Sequence, residues 1–126
     1  MQNKNLQLSL KTKWFEMTKS GIKTEDYREI TPYWVKRIVE PNDEGVTVEA
    51  VMYYLNGGKQ HAFYSDKFEF KKFDSNIMTL GYPKSTDTER ILKLEHKGIE
   101  IRTGNPEWGA EPDKLYFVIK HGSLVE

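Results

Sequence analysis

Leu6-Gln7-Leu8-Ser9-Leu10, followed at once by Lys11 to Ser20, is the stretch that decides the fold. In its first part leucines alternate with polar residues, the period of a strand with one buried face. In its second part the period lengthens. Trp14, Met17 and Thr18 recur at three and four, with Phe15 beside Trp14, which predicts a short amphipathic helix. Ser20-Gly21 closes that helix, Gly21 being suited to the left-handed conformation found after helix C-termini. Thr24 to Ile30 then reads as a second strand of charged and β-forming residues.

Thr31-Pro32 carries the signs of a helix start, with Thr31 as N-cap and Pro32 at the first helical position, and the helix runs to about Val39. Pro41 to Gly45 is a turn or loop. Thr47 to Leu55 suits helix or strand by residue type, and the spacing of Val48, Val51, Met52 and Leu55 tilts it to helix. Asn56-Gly57-Gly58 ends it. Phe68, Phe70 and Phe73 mark a further buried segment, and Ile77 to Leu80 a strand, closed by the turn Gly81-Tyr82-Pro83. Ile91, Leu92 and Leu94 predict a strand ending near Lys97-Gly98, with Ile99 and Ile101 in a hairpin-like partner. Tyr116 to Ile119 is the last strand, before His121-Gly122. Short strands with two N-terminal helices predict an α+β domain: a small mixed β-barrel with the helices packed outside it.

Bulk properties narrow the function. With 126 residues one domain is the default, and 13% aromatics favour a packed core over disorder. The absence of cysteine removes disulfides, thiol chemistry and thiolate zinc sites. No apolar run is long enough to span a membrane, and the N-terminus lacks the apolar stretch of a secretory signal, so a cytoplasmic protein with no membrane partner is expected. Net charge is zero, but it is divided: residues 1–39 carry eight Lys or Arg against four Asp or Glu, and the remainder eleven against fifteen. A general coat for nucleic-acid phosphates would be basic throughout. A local basic face, or a pocket for a small ligand, fits better.

Three stretches together resemble a known family. Leu8-Ser9-Leu10-Lys11, Trp14-Phe15 and Gly21-Ile22-Lys23-Thr24-Glu25-Asp26-Tyr27-Arg28 are similar to the ASCH signature of strand, helix and Gly-x-Lys-x-x-Glu-x-Arg. Tyr27-Arg28-Glu29-Ile30-Thr31-Pro32-Tyr33-Trp34 resembles a continuation found in a phage and bacterial subgroup. Gly104-Asn105-Pro106-Glu107-Trp108-Gly109-Ala110-Glu111 resembles a turn near the C-terminus of that subgroup. Asp26 stands where the family usually has Glu, keeping the carboxylate but shortening it by one methylene. Residues 40–67 have no counterpart and read as an insertion into a single domain spanning 1–126.

The resemblance implies a PUA-like barrel with a cleft beside the N-terminal helix. It also implies RNA or modified-nucleoside binding, with ribonuclease activity in some members and amide hydrolysis of N4-acetylcytidine in a small bacterial branch. That branch has a catalytic Lys at the position of Lys23 and a Thr at the position of Asp26, so the departure at Asp26 counts against carrying the hydrolysis over.

The residues support a matching chemistry. Asp26 and Arg28 share a strand face, so Lys23 joins them only from the turn after Gly21. In a cleft Lys23 would grip a phosphate, Arg28 would present its planar fork to a phosphate or base edge, and Asp26 would orient Lys23. The plain alternative is an Asp26–Arg28 pair with a solvated Lys23. The resemblance implies two more contacts: Lys11, which ends the first strand of the signature, as a further phosphate contact, and Tyr82, at a turn where the family often has Gly-Tyr near the cleft, as the leading base-stacking candidate. Tyr33 and Trp34 could also stack a base, whereas Trp14 and Phe15 suit core packing, and Trp108 a structural plug. If the chain is an enzyme, Lys23 and Asp26 would be catalytic. An amine nucleophile, however, needs a lowered pKa, and a neighbouring carboxylate acts the other way.

His61, His96 and His121 lack metal-ligand spacing, so no metal is expected, and no phosphate-binding loop or other cofactor motif is present. The expected function is an RNA- or nucleoside-binding module. The alternatives are a hydrolase acting on an acylated nucleoside or RNA in the same cleft, and a non-catalytic interaction domain of phage or mobile-element origin. The latter would meet a protein partner through 40–67, where Tyr53, Tyr54, Phe63 and Tyr64 lie.

Overall fold

A computed structural model describes residues 5–41, 46–55 and 68–125. Its elements, in chain order, are strand β1 (Asn5–Leu10), helix α1 (Thr12–Lys19), strand β2 (Glu25–Arg28), helix α2 (Pro32–Ile38), strand β3 (Val39–Pro41), helix α3 (Val48–Leu55) and strands β4 (Phe68–Phe70), β5 (Ser75–Leu80), β6 (Ile91–Thr103) and β7 (Leu115–Leu124). Short 3-10 turns lie at Thr88–Arg90 and Pro106–Trp108. The fold is mixed α+β. Five strands form one sheet in the order β1-β5-β6-β7-β2, and β3 pairs with β4 apart from it.

Contacts divide the chain into two compact units, each discontinuous in sequence. The first comprises Met1–Asp26, Lys72–Ile99 and Ile119–Glu126, and the second Tyr27–Lys71 and Glu100–Val118. In the first unit β1 and β5 run parallel, with Leu6 opposite Asn76, Leu8 opposite Met78 and Leu10 opposite Leu80. β5 and β6 are antiparallel, with Asn76 opposite Leu94 and Met78 opposite Leu92. Alternation along each strand sends these residues to one face, so Leu6, Leu8, Met78, Leu92 and Leu94 are buried together with Phe15 of α1. Asn76 occupies the same row and is the polar exception.

The second unit buries Val35 and Ile38 of α2, Val39, Val51 and Leu55 of α3, and Phe68. The segment Val48–Leu55 is helical, as its spacing predicts, with Val51 and Leu55 on the buried side. Thr31 caps α2, its hydroxyl accepting from the Trp34 N–H at 3.4 Å, with Pro32 opening the helix. A second cluster packs Tyr27 against Ala110, Tyr116 and Val118. The Tyr27 hydroxyl accepts from the Asn105 N–H at 2.9 Å, and the Asn105 side chain accepts from the Glu107 N–H, so the Pro106–Trp108 turn is fastened at its N-terminal end.

One element differs from expectation. β6 runs unbroken from Ile91 to Thr103 instead of turning back at Lys97-Gly98. Gly98 takes φ 109°, a conformation open to glycine, inside the continuous strand. The final strand is also longer than its apolar residues suggest, taking in His121 and Gly122. Asn56-Gly57-Gly58, His61, Phe63 and Tyr64 lie outside the described residues. No helix among the described residues is long and apolar enough to cross a membrane.

Candidate functional site

The end of α1 sets the position of Lys23. After Ser20 the Gly21 N–H bonds to Thr18 O and the Ile22 N–H to Met17 O, the paired bonds of a glycine-dependent helix stop, with Gly21 at φ 86°. The Lys23 N–H also reaches Met17 O. The chain is thereby reversed before β2 begins at Glu25, and the Lys23 side chain turns inward.

Lys23 is only 2% exposed. Its Nζ donates to Glu25 O at 2.7 Å and to Asp26 Oδ1 at 3.2 Å, and Asp26 is buried as well. The solvated Lys23 of the plain alternative is therefore corrected: the ammonium is desolvated and ion-paired. Its side chain is one of the largest that are fully buried among the described residues.

Two histidines rejected as isolated in sequence meet here. His121 on β7 is buried. Its Nε2 lies 3.3 Å from Lys23 O, and its N–H bonds to Thr24 O. A carbonyl only accepts, so Nε2 carries the proton, and the bare Nδ1 is buried with no hydrogen-bond partner among the described residues. His96 on β6 places Nδ1 2.7 Å from Asn76 Oδ1, and the Asn76 amide donates to Lys120 O at 3.3 Å. Because Asn76 Oδ1 accepts, His96 carries its proton on Nδ1. Phe73 meets the His96 ring edge-on at 5.4 Å. Lys23, Glu25, Asp26, Asn76, His96 and His121 thus form a polar group inside the first unit. The signal available in sequence was the row parity of Asn76, His96 and His121 with buried apolar neighbours. Their strand register was not available.

Burial pushes the His121 imidazole below its usual value of 6.5, and the Lys23 carbonyl and the Asp26 charge only partly oppose this. Burial lowers His96 too, helped by the charge of His121. The linkage has a definite sign. Above about pH 6.5 both folded and unfolded imidazoles are neutral, and the contribution to stability is complete. As pH falls from there through the lowered folded values, the unfolded chain binds protons that the folded chain resists, and stability is lost. Urea unfolding at intervals from about pH 7.5 to about pH 5 should show this decline, and His121→Gln should flatten it. Parallel profiles for the two proteins would refute the assignment.

The other predicted residues divide. Gly81 N–H bonds to Leu10 O, which brings Tyr82, 94% exposed, to the end of β1 where Lys11 precedes α1. Lys23 lies beyond the opposite end of α1, whose eight residues span roughly 12 Å at 1.5 Å each. Lys11 and Tyr82 therefore do not join the Lys23 group.

Arg28 belongs to the second unit, where its guanidinium lies 5.0 Å from the Trp34 ring. Tyr33, 61% exposed, meets Trp34 edge-on at 5.1 Å. Arg37, one helical turn on, covers both rings, 5.4 Å from Tyr33 and 5.6 Å from Trp34. The sequence picks out Arg28, Tyr33 and Trp34 as candidates. Arg37 was missed, although its spacing of three and four from the aromatics would have placed it on their face. Among the described residues no group of three or more His, Asp or Glu could hold a metal ion. No family model matches the chain, and neither a curated protein nor a solved structure does.

Proposed function

We propose that this chain is a binding module for single-stranded RNA or a modified nucleoside on an ASCH-type, PUA-like barrel, with Arg28 and Trp34 as its central contact. The observation that carries this reading is the layered cluster at the start of α2: a guanidinium over an indole, with an exposed Tyr33 beside them. Unpaired bases are held by stacking on aromatic rings and on arginine planes. Such a surface needs no overall positive charge, in keeping with a net charge of zero. Lys11 and the exposed Tyr82 are further contact candidates in the first unit.

The motif then divides its labour. Arg28 serves the ligand, while Lys23 and Asp26 hold the turn that leads into β2. Hydrolysis has less behind it, because the Lys23 amine is buried and engaged by Glu25 O and Asp26 Oδ1. The protein-contact reading rests on 40–67. Of its aromatics, Tyr53 is exposed, Tyr54 packs edge-on to Phe68, and the others lie outside the described residues.

Short single-stranded RNAs and free modified nucleosides, titrated into wild type and Trp34→Ala with product analysis of each mixture, test the proposal. Removing one stacking platform should weaken binding by roughly 5- to 100-fold, since stacking contributes about 1–3 kcal/mol per base. Equal binding by both proteins would sink the reading, and product formed by the wild type would return the hydrolase to the front.

A further inference from the structure

We infer that Arg37 is an anion seat, and that the ligand of this surface is a nucleotide unit, base plus phosphate, rather than a bare nucleoside. The inference rests on the base-stacking reading of Tyr33 and Trp34 and adds the chemistry of the second half of the ligand. Arg37 differs from Arg90, Arg102 and Lys114 in what surrounds it, and from the exposed lysines in being part-buried with a side-chain N–H out of reach of water. Arg90 has Asp87 at 3.7 Å, Arg102 has Glu100 at 2.6 Å, and Lys114 has Glu111 at 2.9 Å and Glu29 at 3.3 Å. Even the buried Lys23 has Asp26. Among the described residues Arg37 has no carboxylate and no hydrogen-bond acceptor, only the two rings, and its Nε–H is buried without a partner.

A guanidinium carries five N–H donors and cannot shed its charge. Ring faces offset that charge in part but accept none of those hydrogen bonds in the plane of the fork. Arg37 is half-buried, so part of the fork reaches solvent. The natural complement is a planar or tetrahedral oxyanion taken up by two parallel N–H bonds. Spacing decides which anion. Arg37 stands four residues from Tyr33 and three from Trp34, its guanidinium 5.4 Å from the exposed Tyr33 ring, so an anion at Arg37 lies beside that ring. A base stacked on the ring and a phosphate joined to it through a sugar match that arrangement. The phosphate could belong to a free mononucleotide or to a single-stranded chain, and the chemistry at Arg37 is the same.

The test titrates wild type, Arg37→Gln and Arg37→Lys with adenosine, uridine, their 5′-monophosphates, inorganic phosphate and a short single-stranded RNA, following Trp fluorescence and checking the fold by circular dichroism. Wild type should prefer monophosphate over nucleoside by roughly tenfold or more, the effect of adding a charge-assisted bidentate contact. Arg37→Gln should abolish that preference. Arg37→Lys, which keeps the charge without the fork, should restore only part of it, and serves as the readout should the Gln variant fold poorly. Tight RNA binding with weak monophosphate binding, both lowered in Arg37→Gln, would assign the phosphate to a chain and support the inference. Equal affinity for nucleoside and monophosphate in wild type would overturn it and leave the stacking proposal standing. No binding of any of these ligands would overturn both.

Discussion

Lys23→Met should destabilise the protein by about 3–5 kcal/mol, the cost of breaking a buried ion pair from one side. The Lys23 and Asp26 side chains are 1% and 5% exposed, with Nζ 3.2 Å from Oδ1. Removing the ammonium leaves the Asp26 carboxylate buried without this counter-charge, and the Glu25 carbonyl without the donor now at 2.7 Å. An unpaired buried charge costs far more than the pair contributes, because its solvation has already been given up. The double variant Lys23→Met/Asp26→Leu removes both charges at once and should recover much of the loss, a pattern that separates pairing from simple packing. Urea unfolding of the two singles and the double checks this. A loss below about 1 kcal/mol in the single variant would mean that solvent reaches the pair, since exposed pairs contribute no more than that. The result also bears on function: weakened ligand binding in a Lys23 variant would report the fold unless stability were measured alongside. Arg28, Trp34 and Arg37 are the sounder places to test binding.

The difference between a legible and an illegible residue here is the range over which its environment is set. Leu6, Leu8 and Leu10, the Thr31-Pro32 cap and the Gly21 stop are read from neighbours within a few positions, and each forms the element that its pattern predicts. Gly98 was misread because a glycine at positive φ serves a hairpin turn and the interior of a long strand alike, and the choice depends on what the flanking strand pairs with. The parallel match of β1 to β5 joins residues some seventy positions apart, and no local pattern specifies it. The burial of Lys23 was hidden for a related reason. A lysine in a charged segment reads as solvated, and the inward turn after Gly21, with Glu25 O and Asp26 Oδ1 accepting from the ammonium, makes burial tolerable. The predicted site was accordingly split. Lys11 and Tyr82 came together through the Gly81–Leu10 bond, Lys23 and Asp26 through the turn, and Arg28 through its stacking on Trp34.

Asn76→Ala should cost about 2–4 kcal/mol, because two partners are orphaned by one substitution. Asn76 is fully buried in a row otherwise filled by Leu6, Met78, Leu92 and Leu94, and a polar group there is tolerated only if its hydrogen bonds are made. Its amide donates to Lys120 O on β7, and its carbonyl accepts from His96 Nδ1 on β6, so one side chain on β5 ties together two further strands. Truncation leaves the Lys120 carbonyl and the His96 N–H each short of a bond and opens a small void beside them. Asn76→Asp makes the sharper comparison. It keeps the shape and an acceptor for His96 but places a carboxylate oxygen against the Lys120 carbonyl. With its carboxylate available to a protonated imidazole, it should raise the pKa of His96, against the direction that burial imposes. NMR titration of the His96 ring protons reads this directly, and urea unfolding reads the stability. A large loss in Asn76→Ala with an upward His96 shift in Asn76→Asp would establish Asn76 as the residue that fixes the imidazole's proton. An Asn76→Ala variant as stable as wild type would mean that water substitutes for the amide, and that the polar row in the first unit is open to solvent.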